Sequence, residues 1–219
     1  KLSENLFKGL SPWMQKLPGG LIHVNVVGCA LFAAISGSSA ATVATVGKMS
    51  IPELRKRKYP EKILLGSLAG SGTLGLLIPP SIILIIYGVT VQESIAKLFI
   101  AGIIPGIMIA LIFMSYVIIW SLINNKIMPR SYERFSFLDK IKKSKQLLPV
   151  IILILGVIGS IYTGVATATE AASLGVVGAL ILSYFQKSLS LKTFKESLLG
   201  ATKTSCMIAF ILAGSTFYL

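Results

Sequence analysis

A proline pair interrupts the long apolar stretch between residues 63 and 89, and this interruption constrains the fold more than any other feature of the sequence. At a rise of ~1.5 Å per helical residue, the stretch is long enough to cross a bilayer of ~30 Å. Its centre reads GSGTLGLLIPPS from Gly70 to Ser81, and Pro79 and Pro80 have no N–H to donate to a helix. Residues that precede a proline are also driven out of the α-helical region. The sequence therefore predicts a discontinuous helix with unpaired carbonyl groups at its break.

Four basic segments divide the sequence and predict which apolar stretches cross a membrane. They hold 20 of the 21 Lys and Arg residues and span residues 1–20, 48–62, 124–146 and 186–203. Because basic loops stay on the cytoplasmic side of a membrane, we expect all four to be cytoplasmic. Four apolar stretches would then cross in alternating directions: 63–89, 98–123, 147–163 and 171–185.

The apolar stretch 21–47 does not fit this alternation, because basic segments flank it on both sides. A stretch of this length whose two ends lie on the same side must enter the membrane and turn back. Four small residues near its centre allow a tight reversal: Ser36, Gly37, Ser38 and Ser39. The sequence therefore predicts a re-entrant helical hairpin, which is tolerated at membrane depth only when protein or a water-filled cavity surrounds it.

The two predicted breaks share their chemistry, because both offer neutral oxygen atoms and neither apolar stretch contains Asp or Glu. Neutral hard oxygens suit a monovalent alkali cation such as Na⁺ better than Ca²⁺ or Mg²⁺, whose sites normally include carboxylates. Broken helices at the bilayer midplane build such sites in secondary transporters. We therefore predict one Na⁺ site from hydroxyl and backbone groups of Ser36, Gly37, Ser38, Ser39, Gly72, Thr73, Gly75, Ile78 and Pro80.

A second interpretation of the same residues is close helix packing. Small residues four positions apart, such as the pairs Gly66 with Gly70 and Gly102 with Gly106, let helices approach one another. Two broken elements in neighbouring segments favour the ion site over packing alone. Half-helix N-termini at the same breaks would also suit an anionic group.

Composition argues against several other classes of protein. The chain is 54% hydrophobic and 13% charged, so we do not expect a soluble globular domain. Its net charge of +13 would favour nucleic acid in a soluble protein, but the basic residues lie between apolar stretches and we expect no nucleic-acid partner. The sequence assembles no nucleophile, base and oxyanion hole, so we expect no enzyme. Cys29 and Cys206 lie far apart in apolar surroundings, and both are expected to be buried.

Two ionisable residues lie in apolar surroundings and need separate explanations. His23, near the hairpin entrance, is expected to be hydrogen-bonded or interfacial rather than part of a proton relay. Glu170 is either a functional carboxylate in the membrane or a helix-start residue, since Thr167 and Thr169 lie just before it. The sequence supports these two explanations of Glu170 equally.

Four strings of the sequence resemble the large membrane subunit of tripartite ATP-independent periplasmic (TRAP) transporters, the DctM family. They are SGSSAATVATVGK at 36–48, GTLGLLIPPSIILIIYGV at 72–89, SIAKLFIAGIIPG at 94–106 and ATATEAASLGVV at 166–177. The resemblance implies an inverted-repeat fold of the ion-transporter superfamily, with two re-entrant hairpins and two broken helices, that works as an elevator. By the motif match, 36–39 would be the first hairpin tip and 72–80 the loop of the first broken helix.

The resemblance also implies a function. It implies a multi-pass protein of the bacterial inner membrane that couples Na⁺ entry to the uptake of an organic acid, such as a C4-dicarboxylate. A periplasmic substrate-binding protein would deliver the carboxylate, and a small four-helix membrane subunit would brace the scaffold in the lipid bilayer. Two alternatives stay open: a single-component Na⁺/carboxylate carrier of the same superfamily, and a non-transporting membrane scaffold or membrane enzyme.

The predicted organisation is that of an all-α polytopic membrane protein, part of an inverted-repeat elevator-type transporter. We expect an interfacial amphipathic segment at 1–20, the hairpin at 21–50, the broken helix and a following transmembrane helix at 51–123, a cytoplasmic basic linker at 124–146 and further transmembrane helices at 147–219. The chain begins at Lys1 without a Met, and we expect a piece of a longer protein whose second repeat lies elsewhere. Ala168 stands where the family commonly has a proline, so the turn there would be less rigid.

Overall fold

The computed structural model describes residues 2–129, 136–145 and 147–215, and every regular element within them is helical. The ten α-helices of this part of the chain are α1 (Leu2–Met14), α2 (His23–Ser36), α3 (Ser39–Lys56), α4 (Glu61–Gly72), α5 (Ile82–Thr90), α6 (Ile95–Ile123), α7 (Phe137–Ser144), α8 (Leu148–Tyr162), α9 (Ala168–Phe185) and α10 (Leu191–Ser215). Short 3-10 helices cover Gly20–Ile22 and Thr73–Leu76. The predicted all-α class is confirmed.

Helices α2 and α3 form an antiparallel pair that reverses at the predicted small residues. Gly37 ends α2 in the left-handed region at φ 60°, where a residue without Cβ is least strained. Ser38 is extended and precedes α3, whose Thr42 N–H donates to the Ser38 carbonyl at 3.0 Å. Further from the turn, a Cβ on Gly28 would contact Val46 at 3.6 Å, so the two helices stay packed. The reversal is therefore present, and its entry into a membrane stays a prediction.

The predicted discontinuity lies between α4 and α5. Helix α4 ends at Gly72, the 3-10 helix Thr73–Leu76 follows, and no helix covers residues 77–81. The proline at position 80 cannot donate to the Leu76 carbonyl, and the Ser81 hydroxyl donates to it instead at 2.6 Å. A neighbouring hydroxyl thus satisfies one of the carbonyls that the proline pair leaves unpaired.

The core of the described chain lies among α1 to α4, with α6 and α8 against it. Its fully buried side chains include Leu6, Ile22, Val24, Leu54, Leu64, Val117 and Val150. Burial of such a set excludes water from the α2–α3 pair on the side away from its turn. The hairpin is therefore anchored at its base, and its turn extends towards α5 and α6.

Three described helices are long and apolar enough to cross a membrane: α6, α9 and α10. Helices α7 and α8 together give a fourth candidate, bent by 55°. The predicted basic segment 186–203 is not a separate loop, because α10 already begins at Leu191 and carries Lys192 and Lys195 in its first turns. Helix α3 likewise continues through Pro52 to Lys56, beyond the expected hairpin boundary at residue 50.

Some predictions concern residues outside this description. These residues are Lys1, residues 130–135 and 146 of the predicted basic linker, and residues 216–219 of the last predicted segment. Of the two cysteines, Cys29 is buried as predicted, whereas Cys206 is exposed and that prediction is wrong. Cys206 lies on α10, which has no buried residue in the described part of the chain.

The start of α9 shows what Glu170 does. The Thr167 N–H donates to Glu170 Oε2 at 2.8 Å, and the Glu170 N–H donates to Thr167 Oγ1 at 3.3 Å. This reciprocal pair is a capping box, which satisfies two N–H groups that a helix start leaves free. The structure therefore favours the helix-start explanation of Glu170.

Candidate cation site at the hairpin tip

The hairpin tip contacts the break between α4 and α5 directly. The Ile82 N–H, the first of α5, donates to the Gly37 carbonyl at 3.1 Å. A Cβ on Gly37 would lie 2.7 Å from the Pro80 carbonyl oxygen, and a Cβ on Gly75 would lie 2.8 Å from the backbone of Ser38. Real Cβ atoms do not approach backbone so closely, so glycine is required at both positions. The structure thus brings together the two broken elements that the sequence singled out.

Hydroxyl groups at the tip hold the turn in shape. Ser36 Oγ and Thr42 Oγ1 are hydrogen-bonded at 2.9 Å, and Thr42 Oγ1 donates to the Ser38 carbonyl at 2.7 Å. Ser38 Oγ accepts a long hydrogen bond of 3.5 Å from the Ala41 N–H. The Ser36 hydroxyl therefore already has protein partners, whereas Ser38 Oγ is weakly engaged and Ser39 lies partly exposed beside it.

The carbonyl groups of four successive residues at the break have no hydrogen-bond donor among the described residues. They belong to residues 77–80 and include two of the predicted site residues, Ile78 and Pro80. The Gly75 backbone is buried against the hairpin tip, close to both of them in sequence. Unpaired carbonyl oxygens in an apolar environment cost free energy unless water, protein or an ion supplies a partner. The Pro80 carbonyl, which lies next to Gly37 of the hairpin tip, is therefore a candidate ligand for a cation, and the Ile78 carbonyl is a second candidate close to it in sequence.

Two of the predicted residues have a more local role. Thr73 Oγ1 donates to the Gly70 carbonyl at 2.6 Å, and its side chain is exposed. A Cβ on Gly72 would overlap the Val43 side chain, so Gly72 lets α4 approach α3. For Gly72 the packing interpretation accounts for the glycine.

The electrostatics of the tip come from helix ends rather than from charged side chains. Helices α3 and α5 begin here, after Ser38 and Ser81, while α2 ends here at Gly37. The C-terminal end of a helix carries partial negative charge and favours cations, and the N-terminal ends favour anions. Within the described residues, no group of three or more His, Cys, Asp or Glu side chains is placed to hold a metal ion. The tip therefore suits an alkali cation next to the carbonyls and an anionic group next to the helix starts.

Two buried polar residues of the hairpin, Thr42 near the tip and Asn25 near the base, were not predicted from the sequence. Thr42 is fully buried and connects Ser36 to Ser38, and its position four residues after Ser38, on the same side of α3, is the signal that would have found it. Asn25 is also fully buried, and its Nδ2 donates to the Leu64 carbonyl at 3.2 Å and to Ser67 Oγ at 3.0 Å. As the one Asn of the apolar stretch 21–47, it stood out in the sequence. It connects the base of the hairpin to α4.

His23 lies at the other end of the hairpin and takes no part in the tip. Its ring is fully buried, and Nε2 is 2.8 Å from the Pro18 carbonyl oxygen. The hydrogen-bonded imidazole that the sequence favoured is therefore present.

The comparison with protein families decides what kind of chain this is. The sequence matches the family described as the tripartite ATP-independent periplasmic transporter, DctM component, over residues 1–218. The chain belongs to the DctM family. The resemblance carried by the four strings is thus confirmed along nearly the whole sequence.

Curated relatives of this DctM chain differ in the substrate that their names give. A C4-dicarboxylate TRAP transporter large permease protein of Pseudomonas aeruginosa is 36% identical over 201 residues, which cover 91% of this chain and 46% of that protein. An ectoine/5-hydroxyectoine TRAP transporter large permease protein of Ruegeria pomeroyi is 36% identical over 209 residues, 93% of this chain and 47% of that protein. A sialic acid TRAP transporter permease protein of Haemophilus influenzae is 34% identical over 222 residues, 99% of this chain and 35% of that protein.

These relatives indicate the general role of the chain, but they do not identify its substrate. The chain spans less than half the length of each of the three relatives. All three are named as transporter permeases, which supports a non-enzymatic role for the DctM chain. Their different substrates mean that membership of the DctM family does not by itself define the substrate.

Proposed function

We propose that this DctM chain forms the first repeat of the membrane subunit of a Na⁺-coupled transporter that imports an organic acid across the bacterial inner membrane. The observation that carries the proposal is the contact between the hairpin tip and the broken helix, made by the Gly37 carbonyl and the Ile82 N–H. Each element alone leaves polar backbone groups without partners, and their contact brings Gly37 next to the Pro80 carbonyl and Gly75 next to the backbone of Ser38.

In this proposal Na⁺ binds at the boundary between the two elements. The carbonyls of Ile78 and Pro80 are the primary ligands, and the Ser38 hydroxyl and the Gly75 backbone complete the shell. Ser39 and Thr73 lie at the edge of the proposed site. The Ser39 side chain is partly exposed and the Thr73 side chain is exposed, so both face the solvent from which the ion would enter. Because the ligands come from both elements, a bound ion strengthens the contact between them, and this is how ion binding would be coupled to a change of conformation.

The driving force follows from the charge of the ion. Inward movement of one Na⁺ provides about 2.3 kcal/mol for each 100 mV of membrane potential, in addition to its concentration gradient. The helix starts of α3 and α5 face the same junction and would orient the carboxylate of the substrate towards the ion. A second site, and the rest of the substrate pocket, would be contributed by the remainder of the transporter.

The proposed partners are those expected of a tripartite transporter. A periplasmic binding protein would deliver the organic acid, and a small membrane subunit would hold the scaffold. The relatives' names range from dicarboxylate to sialic acid and ectoine, which supports a model in which the binding protein sets much of the specificity.

The proposal is tested by uptake in proteoliposomes containing the full-length transporter, its binding protein and a labelled organic acid. We compare Ser38→Ala with the matched control Ser94→Ala, since both serines precede a helix and accept a 3.5 Å hydrogen bond from a backbone N–H. If the Ser38 hydroxyl contributes about 1.4 kcal/mol to Na⁺ binding, its loss in Ser38→Ala should raise the Na⁺ concentration for half-maximal uptake roughly ten-fold. Ser94→Ala should leave that concentration unchanged.

Two other results would count against the proposal. Uptake that is equally fast when K⁺ replaces Na⁺ would show that the tip is not a Na⁺ site. Uptake that proceeds without the binding protein would instead favour a single-component carrier.

A further inference from the structure

Helix α7 has a position and composition that transport across the membrane does not explain. It is 8 residues long and lies between the long apolar helix α6 and helix α8. At ~1.5 Å per residue it is far too short to cross a bilayer. The axis of its Leu138–Ser144 part is bent by 55° from that of α8, so the two are not one straight helix. It is therefore directed away from α8 rather than along it.

Contacts with α1 fix which side of α7 faces outward. Trp13 Nε1 donates to Ser144 Oγ at 2.9 Å, and the Lys140 ammonium lies 5.1 Å from the centre of the Trp13 ring. Just after α7, the Leu147 side chain packs on Gly9, where a Cβ would lie 2.6 Å from Leu147 Cγ. A cation over the Trp13 ring and a hydrogen bond donated by the Trp13 N–H hold the two helices together at two points. The orientation of α7 is thus set by the structure.

The outward surface combines exposed apolar side chains with exposed lysines. Leu138 is 76% exposed and Ile141 43%, and Trp13 of α1, which contacts Lys140 and Ser144 on the side of α7 that faces α1, is 41% exposed. Lys142 and Lys145 are exposed beside them. In water, exposed Leu and Ile side chains on one small helix would be unfavourable, whereas at a membrane surface they enter the acyl boundary while lysines stay among the headgroups.

This surface carries a net positive charge. Residues 136–145 contain four lysines and one acidic residue, Asp139. The Asp139 carboxylate accepts a hydrogen bond from the Ser136 N–H at 3.3 Å and so belongs to the capping of α7. Lysines close to a bilayer attract its anionic lipids.

We propose that the outward side of α7, formed by Leu138, Ile141, Lys142 and Lys145, binds the headgroups of anionic phospholipids in the surrounding bilayer, with the exposed edge of Trp13 from α1 at the same membrane surface. We call these five residues the α7 surface. Charge complementarity selects the anionic headgroup, and the exposed apolar side chains select a lipid over a soluble anion, which would leave them in water. The Trp13 indole, polar at one end and apolar at the other, suits the same depth in the bilayer. Bound lipid holds α1 and α7 at a fixed height beside the hairpin base.

The test uses the quenching of Trp13 fluorescence by brominated lipid. The full-length membrane subunit is placed in nanodiscs of phosphatidylcholine that contain either brominated phosphatidylglycerol or brominated phosphatidylcholine at equal fractions. The signal of Trp13 is the difference between the protein and its Trp13→Phe variant. We expect stronger quenching of Trp13 by the brominated phosphatidylglycerol, and we expect 0.5 M salt, roughly a 4–5 Å screening length, to reduce that difference.

A pair of double variants separates this surface from charge in general. Lys142→Gln/Lys145→Gln should weaken the preference for phosphatidylglycerol by about ten-fold or more, since each lysine near an anionic surface contributes about five-fold. The control Lys192→Gln/Lys195→Gln removes the same charge from exposed positions on α10 and should keep the preference.

Three outcomes would overturn the proposal. They are equal quenching of Trp13 by the two brominated lipids, a preference that survives in Lys142→Gln/Lys145→Gln, and a Trp13 that neither lipid quenches. The last result would mean that another protein chain covers the α7 surface. If the double variant does not fold, the salt dependence of the unmodified protein still decides between these outcomes.

Discussion

The helix pairs α2–α3 and α8–α9 are built by the same local rules and end in different surroundings. Each has a glycine in the left-handed region at its turn, Gly37 at φ 60° and Gly164 at φ 71°. Each has an extended hydroxyl residue just before its second helix, Ser38 or Thr167. A Cβ on Gly37 would meet the Pro80 carbonyl, whereas nothing lies within 4 Å of a Cβ on Gly164.

The difference between the two turns lies in how their polar backbone groups are satisfied, and this distinguishes a structural turn from a candidate binding site. The α8–α9 turn satisfies its own polar groups, because Glu170 completes a capping box with Thr167. The α2–α3 turn has no such acidic residue, and its carbonyl at Gly37 pairs with α5 instead. A turn that satisfies itself is structural, and a turn that depends on another broken element is a candidate binding site.

The largest difference is expected between Gly37→Ala and Gly164→Ala. Both place a Cβ in the left-handed region, which costs roughly 1–2 kcal/mol in either turn. Only Gly37→Ala also pushes the tip away from Pro80, so we expect at least a ten-fold loss of Na⁺-dependent uptake there, since ~1.4 kcal/mol is a factor of ten. Uptake in proteoliposomes and thermal unfolding of both variants measure the two effects. Equal uptake in the two variants would remove the distinction between the turns.

A smaller effect is expected for Gly75→Ala against Gly66→Ala. A Cβ at Gly75 would lie 2.8 Å from the Ser39 backbone nitrogen, whereas nothing lies within 4 Å of one at Gly66. Gly66 is inside α4, so alanine there should stabilise the protein by about 0.5–1 kcal/mol. Gly75→Ala should raise the Na⁺ requirement of uptake several-fold without such a gain. If both variants behave alike, the contact between the 3-10 helix and the hairpin tip is not part of the ion site.

The smallest effect is expected at Glu170. Glu170→Ala removes one half of the capping box and should lower the free energy of unfolding by about 0.5–1 kcal/mol. Glu170→Gln keeps a side chain that can accept from the Thr167 N–H and should be close to the unmodified protein. Both should retain Na⁺-dependent uptake, measured in the same proteoliposomes. A loss of uptake in Glu170→Gln would restore the functional explanation that the sequence had left open.

Local chemistry explains which parts of this fold could be predicted. The break between α4 and α5 follows from Pro79 and Pro80, whose missing N–H groups act on the helix that contains them. The reversal at Gly37 follows from small residues and from basic segments on both sides. The prolines and small residues lie at the features that they predict, and the basic segments flank the hairpin at both of its ends.

Contacts between distant residues could not be predicted in the same way. The sequence indicated that the two broken elements belong together, but not that Thr42 would hold the turn or that the Ser36 hydroxyl would already be bonded. It also placed Cys206 in a core, since an apolar helix in sequence does not reveal whether protein or lipid will surround it. For the same reason the Na⁺ site stays a prediction, supported by the unpaired carbonyls of Ile78 and Pro80.

The hydrogen bond from Ile82 to Gly37 has a mechanical consequence. It joins the first N–H of α5 to the carbonyl of Gly37, the residue just after α2, across 44 intervening residues, while two prolines and a non-helical segment separate α5 from α4. The start of α5 is therefore hydrogen-bonded to the end of α2, although the two are far apart in sequence. A displacement of the hairpin tip reaches α5 directly through this hydrogen bond, whereas a displacement of α4 reaches α5 through the 3-10 helix Thr73–Leu76 and the non-helical segment 77–81. A movement of the hairpin tip should therefore be transmitted to α5 without passing through α4, although α4 is the neighbour of α5 in sequence.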